Sequence, residues 1–240
     1  MKRFYGKGLP DVDPGELSGK LIVIEGGDDL GRSTQIEMLK DCLEHNGHAT
    51  VNVGLKRSAL VGRELAEVQR GNTLGPTTLS LFYATDFADQ LENRIVPALR
   101  SGFIVLADRY IYTLIARDIV RGADREWVKS LYGIAVVPDV VFYLRVSVRQ
   151  LVENNLQRNS TLDYWESGMD TGLSRELFDS FIKYQRLIQN EFHRMQSEYG
   201  FEVINGNRPS RPIAMELCAR VADLVEPLSP ASVVPANTLS

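Results

Sequence analysis

Residues 26–33 read Gly-Gly-Asp-Asp-Leu-Gly-Arg-Ser, a spacing of residue types suited to wrapping backbone around a chain of phosphates. The segment fits G-x-x-x-x-G-K-[ST] at every defining position except one, where Arg32 stands in place of lysine. Gly26, Gly27 and Gly31 let backbone N–H groups turn inward around phosphate oxygens, Asp28, Asp29 and Leu30 complete the turn, and the helix that follows directs its positive end at them. Ser33 suits Mg²⁺, and Thr34 adds a second hydroxyl. Arg32 keeps the lysine's charge but not its compact shape, so it is expected to grip phosphates and to support slower transfer. The chemistry implied is the handling of a nucleoside triphosphate such as ATP, through Gly26 to Thr34.

A second constellation follows the apolar run FIVLA: Asp108-Arg109-Tyr110. A carboxylate at the carboxyl end of a strand lies where open α/β sheets hold their ligands. Asp108 can hold Mg²⁺ or its water, and Arg109 can neutralise charge that develops during phosphoryl transfer. Asp28, Arg32, Asp108 and Arg109 are thus the candidate catalytic residues, with Ser33 and Asp108 as the metal pair.

The elements that must position these groups are legible as alternation. LIVIE (21–25), ATVNV (49–53), FIVLA (103–107), VVFYLRV (140–146) and FEVIN (201–205) are apolar, β-branched runs separated by longer amphipathic stretches. Runs without strict alternation suit strands covered on both faces, which predicts an α/β, three-layer P-loop fold with a five-stranded parallel sheet flanked by helices. Ile36, Leu39 and Leu43, and later Leu91, Ile95 and Leu99, recur at helical spacing and are expected in the core. One domain is expected over residues 20–225. Residues 1–19 read as a loose extension, residues 226–240 as a disordered tail, and 157–171 as a candidate lid.

Composition narrows the partners. With 240 residues, 44% of them hydrophobic, and a formal net charge of -4, the chain can bury one sizeable core and carries no field that would gather nucleic acid. No segment approaches the ~20 apolar residues needed to span a bilayer, so no membrane role is expected. Cys42 and Cys218 show neither metal-ligand spacing nor a disulfide framework, and are read as buried thiols in a reducing cytoplasm.

Taken together, these segments resemble the thymidylate kinase family. IEGGDDLGRSTQ (24–35) is similar to its first strand, loop and helix start, and IVPALRSGFIVLADRY (95–110) to its helix, strand and D-R-Y. VPDVVFYLRV (137–146) and FEVINGNRP (201–209) are similar to its fourth and final strands, so the resemblance covers about residues 20–225. It implies a homodimer, Mg²⁺, and transfer of the ATP γ-phosphate to the 5′-phosphate of dTMP.

The chain departs from the pattern around the acceptor. Where the family carries an Arg-Glu-Pro-Gly stretch whose arginine binds the acceptor phosphate, this sequence offers Lys56, Arg57 or Arg63, with Arg57 as the chosen candidate. Phe87 stands where the family has an arginine that reads the base, and Arg117-Asp118 replace an aromatic and an amide beyond the D-R-Y residues Arg109 and Tyr110. Arg158 is the basic residue at the start of the candidate lid. Tyr164 and Trp165 can either cover a base or anchor that lid. These changes imply dTMP or a related nucleotide as acceptor, with two alternatives: a nucleotide-binding pseudokinase, or a kinase of another phosphorylated acceptor.

Overall fold

The apolar runs become strands β1 (Lys20–Gly26), β2 (Thr50–Gly54), β3 (Ile104–Asp108), β4 (Val140–Arg145) and β5 (Glu202–Asn205) in a computed structural model that describes residues 1–27, 31–71, 74–158 and 162–225. They pair in parallel in the order β2-β3-β1-β4-β5. Parallel pairing needs crossovers, which the helices supply: α1 (Arg32–His45), α2 (Gly62–Gly71), α3 (Pro76–Gln90), α4 (Val96–Arg100), α5 (Ile111–Val120), α6 (Arg125–Leu131), α7 (Val148–Arg158), α8 (Leu177–Tyr199) and α9 (Ser210–Ala222). A π turn over Leu91–Ile95 joins α3 to α4, so the two run as one long rod into β3.

The strand pleat sorts the core into two layers. Leu21 and Val23 of β1 pack with the rod and α5, whereas Ile22 and Ile24 face α1 and α9 across the other side of the sheet. Ile36, Leu39 and Leu43 are buried in the second layer; Leu91, Ile95 and Leu99 are buried in the first. No helix among the described residues is long and apolar enough to cross a membrane.

Two expectations are corrected here. Residues 1–19 are not loose: Phe4 bridges Val136, the amide of Tyr5 donates to the carbonyl of Ala135 at 3.0 Å, and Leu17 is buried. The apolar side chains scattered among this segment's glycines and prolines give it something to dock. Tyr5 packs edge-on against Tyr112 and Tyr199, closing an aromatic cluster at that side of the core.

The cysteines are not separate buried thiols either. Cys42 of α1 and Cys218 of α9 are joined as a disulfide, with Cα atoms 6.5 Å apart, and both are only half-buried. The two helices pack side by side on one face of the sheet, an adjacency invisible in a pair 176 residues apart in sequence. Residues 226–240, expected to form a disordered tail, lie outside the described residues.

Candidate active site

The ends of three neighbouring strands converge on Asp108. Register pairs Asp108 with Ile24 of β1 on one side and with Gly54 of β2 on the other, so the carboxylate emerges between the phosphate-loop strand and the turn after β2. Gly54 is required there, because a Cβ would come within 2.7 Å of the Asp108 carbonyl oxygen. On the loop side, Gly31 occupies the N-cap of α1 at φ 69°, a left-handed conformation that favours glycine.

Around Asp108 the motif residues form one hydrogen-bonded cluster. Ser33 Oγ donates to Oδ2 at 2.9 Å, and Arg32 Nε donates to Oδ1 at 3.1 Å. Arg32 Nη1 also donates to the Gly26 carbonyl at 3.0 Å and contacts that of Gly27, so the guanidinium spans the loop and the carboxylate together. A lysine ammonium has no such fork. Arg57 completes the cluster, its Nη2 lying 3.4 Å from Asp108 Oδ2.

The structure thereby separates the three basic residues after β2. Arg57 reaches Asp108, Lys56 bonds Gln69 Oε1 at 3.1 Å, and Arg63 lies exposed on α2 beside Glu64 and Glu67. Burial and the nearby Arg117 hold the Lys56 ammonium below its ordinary pKa. The turn that presents Arg57 is held from α3: Asp86 accepts the amides of Lys56 (2.8 Å) and Ser58 (2.9 Å), and Gln90 donates to the Gly54 carbonyl at 2.8 Å. Sequence reasoning missed both residues. Their signal was a carboxylate and an amide four apart on an otherwise apolar helix face.

Arg109 follows Asp108 with φ 69°, a strained setting for a residue with a Cβ. Burial pushes its guanidinium down to about 9, Arg117 adds to that, and Glu166 and Glu25 oppose it. Below Arg109 lies Glu25, fully buried at the end of β1 and also missed from sequence. Its signal was a lone charge in the apolar run LIVIE. Burial raises its pKa, against hydrogen bonds from Thr113 and the Tyr110 amide.

The remaining expected residues divide. Tyr110 and Phe87 pack in the core: both are buried, their rings meet edge-on at 5.2 Å, and Tyr110 donates to the Val136 carbonyl. The space left between them and Arg109 is about 10 Å³, room for one water at most. Arg117 lies among Tyr83, Tyr184 and Glu166, on the side of α5 that faces the lid segment. Asp118 does not join it, because adjacent helical residues point about 100° apart. It lines a separate cavity of about 110 Å³ with Thr77, Ser80, Arg121 and Trp127. Thr34 is exposed on the first turn of α1. Asp28, Asp29, Leu30 and the side chain of Arg158 lie outside the described residues.

The described part of the candidate lid is tied down. Trp165 Nε1 donates to the Gln69 carbonyl at 2.6 Å and its ring lies 5.5 Å from the Arg121 guanidinium, which itself pairs with Asp170 at 2.7 Å. Trp165 is therefore an anchor, and its neighbour Tyr164 is left exposed.

The model of the thymidylate kinase family matches residues 24–205. A probable thymidylate kinase 2 of Saccharolobus solfataricus is 36% identical over 202 residues, covering 84% of this chain and 94% of its own length. A thymidylate kinase of Brachyspira hyodysenteriae is 30% identical across 69% of this chain and 82% of its own. A probable thymidylate kinase of Thermococcus kodakarensis is 25% identical across 85% and 98%.

Proposed function

The chain belongs to the thymidylate kinase family, and from that membership and the site's geometry we propose that it moves the γ-phosphoryl group of ATP to the 5′-phosphate of dTMP. The observation that carries the reading is the convergence of Arg32, Ser33 and Arg57 on Asp108 at the mouth of the phosphate loop. Transfer of this kind needs positioning and charge neutralisation rather than a covalent intermediate. Arg32 lies where triphosphate oxygens enter the loop. Arg57 and Arg109 approach from the other side and suit the acceptor phosphate and the charge spread over the transferring group.

Ser33 Oγ and Asp108 Oδ2, 2.9 Å apart, form an all-oxygen pair that fits Mg²⁺, held directly or through water. When bound, Mg²⁺ supplies neutralisation of phosphate charge. The guanidinium groups of Arg32 and Arg57, here bonded to Asp108, are suited to phosphate oxygens, which offer the same bidentate acceptors.

Homodimer assembly and cytoplasmic residence complete the reading. The Cys42–Cys218 bridge weighs against a strongly reducing compartment, so thiol trapping in cells, with sedimentation for the assembly, checks these two parts.

The central test is ADP release from MgATP across a panel of nucleoside monophosphates and small phosphates. Turnover on dTMP well above the other acceptors is expected. MgATP binding without turnover on any acceptor would refute the kinase reading, and preference for another monophosphate would move the acceptor while leaving the transfer intact.

A further inference from the structure

We infer that Glu25 is a positioning residue for the transfer, its carboxylate clamping the strand-to-helix junction from which Asp108 and Arg109 reach the phosphates. The inference rests on the kinase reading and adds a residue that belongs to neither the phosphate loop nor the Asp108-Arg109-Tyr110 segment.

Three hydrogen bonds carry it, and all three end in residues 110–113. Glu25 Oε1 accepts the amide of Tyr110 at 2.9 Å and that of Thr113 at 3.3 Å, and Oε2 accepts the Thr113 hydroxyl at 2.6 Å. Tyr110 is the N-cap of α5 and its side chain makes no capping bond, because the ring is committed to the core. The N-cap amide and the Thr113 amide, third in the helix, would otherwise be buried donors without an acceptor. Glu25 takes the part of the capping residue from a different strand, and its negative charge suits the helix's positive end.

What the cap holds in place is the preceding residue. Arg109 sits at φ 69° between Asp108, fixed in β3, and Tyr110, fixed by Glu25, and its own amide donates to the Ile24 carbonyl at 3.0 Å. A non-glycine residue persists in that conformation only when contacts on both sides determine it. The Ile24 carbonyl supplies one side and the adjacent Glu25 carboxylate the other, so consecutive residues of β1 grip both ends of the Arg109 peptide unit. Burial makes a carboxylate in this position costly; three donors and the nearby Arg109 and Arg32 charges offset part of that cost. Its three hydrogen bonds all close on one four-residue stretch, the start of α5, which singles out that junction as what it holds.

The test compares Glu25→Ala, Glu25→Gln and Thr113→Val with the wild type at saturating MgATP and dTMP, with folding followed by circular dichroism. Glu25→Ala removes the cap and is expected to lower kcat about 100-fold, the scale set by an ångström of misplacement. Glu25→Gln keeps the shape and one acceptor oxygen but loses the charge, for a loss of about tenfold; Thr113→Val, which keeps both amide bonds, falls least. The KM for ATP should stay within about twofold throughout, since the loop's own amides are untouched. If the alanine variant does not fold, the near-isosteric glutamine variant carries the comparison. Wild-type kcat in the folded variants, or a rise in the KM for ATP as large as the fall in kcat, would overturn the inference.

A crystal structure of Glu25→Gln or Glu25→Ala gives a readout independent of turnover. Arg109 is expected to relax from φ 69° to negative φ; an unchanged φ would overturn the proposal. If the wild type transfers phosphate to no acceptor, the kinase reading fails, and the Arg109 conformation alone decides the role of Glu25.

Discussion

Replacing Cys42 and Cys218 with serine, or reducing the bridge between them, is expected to remove up to about 5 kcal/mol of unfolding free energy. The magnitude follows from topology. The half-cystines stand 176 residues apart, so the bridge closes most of the chain into a single loop. The chain-entropy relation for a loop of that size gives roughly 17 cal/mol/K, or ~5 kcal/mol at 25 °C. Residual structure in the denatured chain shrinks this, which sets the expected loss at about 3–5 kcal/mol. For a domain of this length each kcal/mol moves Tm by roughly 2–4 °C, so a drop of about 6–20 °C is expected. The assay is scanning calorimetry of the oxidised protein, of the same protein with reductant, and of the double serine variant, with thiols titrated in denatured, unreduced samples. Because the bridge joins α1 and α9 well beyond the first turn of α1, the KM for ATP should not change. Two titratable thiols in the unreduced wild type, or a Tm that moves by less than about 3 °C on reduction, would refute the reasoning.

Asp118 makes stability depend on pH. Burial pushes its carboxyl up to about 6, above the unfolded value of about 3.9, so the folded state binds the proton more tightly. The associated stability is fully present below about pH 4, falls as pH rises through about 6, and is absent above. Two pKa units correspond to at most ~3 kcal/mol, so Asp118→Asn should unfold at a higher temperature than wild type at pH 7.5 and at a similar one at pH 4.5; equal differences at both would contradict this. Arg32→Lys exchanges a fork that holds Asp108 and the loop carbonyls for a compact ammonium. It should raise kcat several-fold, to about tenfold or ~1.4 kcal/mol of barrier, and steady-state kinetics with an unchanged or lower kcat would show that the guanidinium is suited to its place.

The strands and their layers were readable because each is written in consecutive residues. LIVIE carries both-face burial in five neighbouring side chains and FIVLA in four, from Ile104 to Ala107, and the phosphate-loop pattern needs only eight positions to state its chemistry. The same locality explains why Arg32, Ser33 and Asp108 were expected at one site: two motifs, each at the carboxyl end of its strand, must meet once those strands pair in parallel. Where Phe87, Tyr110 and Asp118 pack was not legible, for the complementary reason. Their direction depends on which side of a helix or strand end faces the core, and aromatic packing with Tyr132 and the 100° step between Arg117 and Asp118 settled it.

The amino-acid sequence by itself determined the parallel α/β scaffold and set the glycine-rich turn after β1 and Asp108 at the ends of neighbouring strands, since local patterns of hydropathy and glycine encode them directly. Tertiary structure alone decided that Arg57 rather than Lys56 or Arg63 reaches Asp108, that residues 1–19 dock, and that Cys42 finds Cys218. It alone revealed Glu25 beneath Arg109. Each of these is a contact between segments far apart in the chain, and such contacts are set by the packing of whole helices and strands, which no short window of residues contains.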